Sequence, residues 1–89
     1  MHSVLITGGA GFIGQNLVHA WRAAHPADRL VVVDAMTYAA NLRSLAPLIA
    51  DRSILFVKGD ITDAALMRRL LEEHQFTRVL HLAAESHVD

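Results

Sequence analysis

Seven consecutive residues, Gly8-Gly9-Ala10-Gly11-Phe12-Ile13-Gly14, constrain this chain more than any other feature of it. They follow a short β-branched apolar run, Ser3 to Thr7, and open a segment in which Ile13, Leu17, Trp21 and Ala24 recur at helical spacing, with Ala20 beside them. Gly9, Gly11 and Gly14 have the G-x-G-x-x-G spacing, and Gly8, Gly11 and Gly14 also repeat every third position. Between a strand and a helix each glycine has a separate task. One permits the tight reversal, one lets the backbone approach a pyrophosphate, and the last lets helix and strand pack closely. The helix then presents unpaired N–H groups and a partial positive charge to phosphate.

A glycine cluster alone says little, because turns collect glycine for ordinary reasons. The context gives it weight. Asp34 closes a second apolar run, Leu30 to Val33, 20 positions after Gly14, where an acceptor for ribose hydroxyls is needed. A carboxylate there repels a 2′-phosphate, and neither Ala35 nor Met36 brings an arginine to receive one. The expected cofactor is therefore NAD rather than NADP. Asp60, at the end of a third run, either reaches toward the adenine or caps the helix that follows; both readings stand.

The rest of the chain alternates the same two periods. His25-Pro26 ends the first helix, since the residue before proline is pushed out of the helical region. Asn41 is a candidate cap for a short helix carrying Leu42, Leu45 and Ile49, with Pro47 expected to interrupt it. Ile54 to Val57 reads as the third strand. Thr62 or Asp63 caps a helix with Leu66, Leu70 and His74 on one face and Met67 and Leu71 adjacent. Val79 to Leu82 is the fourth strand, and Trp21 and Phe56 read as core. Strands alternating with helices give an α/β fold with a parallel sheet, right-handed crossovers and the order 3-2-1-4. This is a partial Rossmann fold: residues 1–89 read as the N-terminal half of an NAD-binding domain, with the substrate domain and catalytic segment absent.

Composition excludes several alternatives. At 53% hydrophobic and 19% charged the chain is a packed globule, and a net charge of −1 without a basic stripe offers nothing to nucleic acid. There is no cysteine, no leader-like start, and no apolar run approaching the roughly 18 residues of a membrane span. A cytoplasmic protein without a membrane partner is expected. The six histidines form neither an i, i+4 pair nor an H-E-x-x-H, so no metal is expected.

Four segments together resemble a known family. GGAGFIG at Gly8 to Gly14 is similar to the extended short-chain dehydrogenase/reductases. VDAMTYAANL from Val33 to Leu42, GDITD from Gly59 to Asp63 and HLAAESHVD from His81 to Asp89 narrow the likeness to the nucleoside-diphosphate-sugar dehydratases. The resemblance implies that Gly8, Gly11, Phe12, Ile13 and Gly14 form the pyrophosphate site. It also implies that Asp34, Ala35, Met36 and Thr37 line the adenosine ribose and that Asp60 and Ile61 flank the adenine. Leu82, Ala83, Ala84 and Ser86 would run beneath the nicotinamide half, with Ser86 nearest the sugar substrate. Two positions depart from the family pattern: Ala40 stands where glycine is common, and Ala35 where lysine is frequent.

The same resemblance implies a cycle in which NAD takes hydride from sugar C4, water leaves across C5 and C6, and the hydride returns to C6. The tyrosine-x-x-x-lysine dyad that the family uses for this is absent. Tyr38 is the only tyrosine, Leu42 lies four positions on, and Lys58 is the only lysine. No Thr-Asp-Glu stretch is present either, so no catalytic residue is assigned and no dehydratase activity is expected of these residues alone. The nucleotide-sugar partner belongs to the full-length enzyme, for which a homodimer is expected. The outer edge of the fourth strand invites self-association of this chain. The alternatives are another NAD-dependent nucleotide-sugar epimerase, decarboxylase or dehydratase, and a non-catalytic nucleotide-binding module.

Overall fold

A computed structural model describes residues 2–8, 12–35 and 43–82 of the 89. Four parallel strands form the sheet: β1 (Ser3–Thr7), β2 (Arg29–Asp34), β3 (Ile54–Lys58) and β4 (Arg78–His81). Their order is β3-β2-β1-β4, as the alternation of periods predicts. The helices between them are α1 (Phe12–Ala24), α2 (Ala46–Ala50) and α3 (Ala64–His74).

The two inner strands, β1 and β2, are apolar runs rather than alternating ones because both of their faces are covered. On one face Val4 and Ile6 of β1 and Leu30 and Val32 of β2 pack with Val18 of α1 and with Leu45. On the other, Leu5, Val31 and Val33 meet Leu70 of α3, with Leu66, Met67 and Phe76 around them. Successive side chains of β1 and β2 thus serve opposite cores.

Two expectations need correction. The buried face of α1 is centred on Gly14 and Val18, flanked by half-buried Leu17 and Trp21; Ile13 is 70% exposed, and Ala20 and Ala24 are exposed. This rotates the contact face by one residue, about 100° on a 3.6-residue helix. Pro47 does not interrupt α2 but sits in its first turn, where the missing N–H costs nothing. Leu45, fully buried, precedes it as the cap residue. Asn41 and Leu42 lie outside the described residues.

At the amino-terminal end of the strands, Asp28 gathers three segments. It is 7% exposed. Its Oδ1 accepts the His2 backbone N–H at 2.8 Å and its Oδ2 accepts the Trp21 indole N–H at 3.0 Å. The Arg22 guanidinium donates to the carbonyls of Asp28 and Ser53. The His2 amide holds the Asp28 carboxyl below its ordinary pKa, with the Trp21 indole assisting and partial burial opposing.

Candidate functional site

All four strands point the same way, so their carboxyl ends share one edge of the sheet, and the chain leaves each strand there. β1 ends at Thr7 and Gly8 turns at φ 77°, a conformation costly for any residue with a Cβ. The Gly8 N–H donates to the Val33 carbonyl of β2 at 2.8 Å, which locks the start of the turn against the neighbouring strand. Gly9, Ala10 and Gly11 lie outside the described residues. α1 then begins at Phe12, its N-terminus at this same edge and its first turn free of acidic residues. No carboxylate on that turn competes for the helix's positive end. Gly14, in the first turn of α1, is buried.

Asp34 is the last residue of β2 and is 7% exposed. Its carbonyl accepts the Gly59 N–H at 3.1 Å, so the ends of β2 and β3 are joined as those of β1 and β2 are. Ala35 follows it, half-buried. A Cβ on Gly59 would come within 2.2 Å of Leu66 Cδ2, so any larger residue there would make the tip of that leucine of α3 turn aside.

Asp60 does not cap the helix that follows it. Its Oδ1 accepts the Thr62 backbone N–H at 2.9 Å and the Thr62 hydroxyl at 2.8 Å, closing a local turn. Those two bonds, the amide first, hold its carboxyl below the usual carboxylate range. The cap of α3 is Asp63, whose side chain accepts the Leu66 N–H at 3.1 Å. Asp60 is exposed and Ile61 half-buried, both on the edge that Gly8 and Asp34 occupy.

The fourth strand closes the other side. The N–H of Leu82, the residue after β4, donates to the Thr7 carbonyl at 2.9 Å. Thr7 Oγ1 lies 2.6 Å from His81 Nδ1. This pair was not singled out by sequence reasoning, which weighed His81 only against a metal role. The order 3-2-1-4 carried the signal, since it places the ends of the first and fourth strands side by side. Of the remaining candidates, Met36, Thr37, Ala83, Ala84 and Ser86 lie outside the described residues. The structure therefore brings Gly8, Phe12, Ile13, Gly14, Asp34, Ala35, Asp60, Ile61 and Leu82 to one edge.

A parallel sheet of order 3-2-1-4, with a glycine turn into the first helix and an acid ending the second strand, is a Rossmann-type α/β fold. Residues 5–89 match the family model of GDP-mannose 4,6 dehydratase, and the chain belongs to that family. It is 55% identical to the dTDP-glucose 4,6-dehydratase of Xanthomonas campestris pv. campestris strain B100 across all of its length and 25% of the relative's. The crystal structure of dTDP-glucose 4,6-dehydratase from Streptomyces venezuelae with NAD and TYD bound superposes with a TM-score of 0.84 at 48% identity, over 98% of this chain and 28% of that one. The Bacillus anthracis enzyme in complex with NAD gives a TM-score of 0.89 at 33% identity, over 96% and 27%. The chain thus spans about a quarter of the length of the relatives it matches.

Proposed function

We propose that this chain is the NAD-holding N-terminal part of a dTDP-glucose 4,6-dehydratase. The observation that carries the reading is the convergence, on one sheet edge, of the Gly8 turn at φ 77°, a helix start in which Gly14 is buried, and Asp34. Those residues fit a dinucleotide. Gly8, Gly11, Phe12, Ile13 and Gly14 cradle the pyrophosphate with backbone N–H groups. Asp34 accepts from the adenosine ribose hydroxyls, with Ala35, Met36 and Thr37 beside it, while Asp60 and Ile61 flank the adenine. Leu82, Ala83, Ala84 and Ser86 run beneath the nicotinamide half, and Ser86 reaches the nucleotide sugar.

When bound, NAD supplies the hydride acceptor and donor of the dehydration. This chain's part is to bind it, orient it and reject the 2′-phosphate of NADP. The sugar-nucleotide assignment is supported by the 55% identity to a dTDP-glucose enzyme over the whole chain. The cytoplasm, where NAD and nucleotide sugars are found together, is the compartment this reading implies. Calorimetric titration tests it: NAD is expected to bind about tenfold or more tighter than NADP, the discrimination of one charged hydrogen-bonding site. Equal binding of the two would overturn the ribose assignment, and no binding of NAD would remove the cofactor role from this chain.

Self-association belongs to the same reading. β4 is an edge strand, and its Val79 is 55% exposed. Copies of this chain are expected to pair through that edge, because unpaired backbone groups beside an apolar side chain are a template for another strand. Sedimentation of the purified chain is expected to show a dimer that Val79→Lys converts to monomer. A wild-type monomer at high concentration would contradict it.

A further inference from the structure

Thr7 and His81 end adjacent strands in register, and their side chains share the face that carries Leu5 and α3. Thr7 is 2% exposed, and among the described residues its hydroxyl has one partner, His81 Nδ1 at 2.6 Å. The accounting of donors decides which way that bond runs. If Nδ1–H donated to the hydroxyl, the buried hydroxyl's own proton would have no acceptor among the described residues, a costly orphan. That accounting favours the arrangement in which the hydroxyl donates to Nδ1 and the ring proton sits on Nε2. The same threonine accepts the Leu82 N–H through its carbonyl at 2.9 Å, and Gly8, next in the chain, donates to Val33 at 2.8 Å. Two successive residues thus hold the exit of β4, through Thr7, and the start of the glycine turn, through Gly8.

We propose that Thr7 and His81 form a positioning pair that fixes the nicotinamide-side wall of the cofactor site, at the exit of β4, relative to the pyrophosphate turn; this rests on the NAD reading above. Neither side chain needs to touch the ligand. The pair sets where His81 and Leu82 lie when the chain leaves the sheet.

Two measurements on the whole 89-residue chain test this. The first is 15N spectroscopy of the imidazole nitrogens, with His81 assigned by its loss in His81→Asn. The expected wild-type signature is an unprotonated, bond-accepting Nδ1, which shifts in Thr7→Val and returns in Thr7→Ser. A protonated Nδ1 in the wild type would overturn the pair as drawn. The second is titration with NAD and with ADP, which reaches only the adenosine half. Thr7→Val keeps the side chain's shape and removes its hydroxyl. It is expected to weaken NAD about fivefold, the value of one ordinary hydrogen bond. ADP binding stays unchanged, and Thr7→Ser restores NAD binding. Equal losses for NAD and ADP would mean general loosening and overturn the positioning role. NAD binding unchanged by Thr7→Val would overturn that role alone, whereas a wild-type chain that binds neither ligand overturns the cofactor reading and the role with it.

Discussion

Asp34→Ala is expected to weaken NAD binding about 10- to 150-fold while leaving NADP binding nearly unchanged. A hydrogen bond to a charged group is worth about 1.5–3 kcal/mol, and every 1.4 kcal/mol is about tenfold in affinity. Alanine removes the acceptor for the ribose hydroxyls, so NAD loses its bonds. It also removes the repulsion that a 2′-phosphate would meet, so NADP loses nothing. Adding Ala35→Arg to the same chain supplies a partner for that phosphate, and the preference is expected to invert. Paired calorimetric titrations of wild type, single and double variants are the measurement. The main chain of β2 survives these changes: the Asp34 carbonyl still accepts the Gly59 N–H, so the strand end keeps its place. A single variant that still favours NAD tenfold would show that selectivity resides elsewhere.

The second large effect concerns folding. Leu5 sits on the central strand β1, 1% exposed, in the smaller of the two cores with Val31, Val33 and Leu70. Leu5→Ala removes three buried carbons from a site where the strands on both sides prevent collapse. Leucine-to-alanine changes in cores cost about 2–5 kcal/mol, and a domain's whole stability is about 5–15 kcal/mol. For a chain of this size each kcal/mol moves Tm by about 4–8 °C, so the midpoint is expected to fall by about 10–30 °C in a thermal melt. Leu71→Ala, on α3 and 47% exposed, is the comparison and is expected to shift Tm by only about 5 °C or less. Equal shifts for the two would mean that this face of the sheet contributes little to stability.

Much of this architecture is legible in the residues because the strands are continuous apolar runs and the turns carry their own chemistry. Among the parallel orders that right-handed crossovers allow, the glycine turn after the first strand and the acid ending the second point to 3-2-1-4. What escapes is set by tertiary contact. Ile13 looks like a core residue by spacing, but the buried side of α1 runs through Gly14 and Val18 and leaves Ile13 exposed. Pro47 looks like a breaker, yet at the start of α2 it is compatible with the helix. Asp60 has two sequence-level readings because a carboxylate can serve a ligand or its own backbone. Thr62 takes one of its oxygens and leaves the choice to folding rather than to spacing. The Thr7–His81 contact spans 74 residues, and no local pattern reports such a pair.

The seam around Asp28 has an optical consequence. Trp21 is the chain's single tryptophan. Its indole N–H is fixed by Asp28 at 3.0 Å, and its ring centroid stands 4.8 Å from that of His25. It lies nine residues along α1 from Phe12, roughly 14 Å from the helix start at 1.5 Å per residue. Ultraviolet emission from this protein is therefore a signal from the amino-terminal end of the sheet. It follows the docking of the first residues onto α1 and is insensitive to what happens at the glycine turn. Unfolding can thus be followed by indole emission, as an event separate from the ligand occupancy that calorimetry reads.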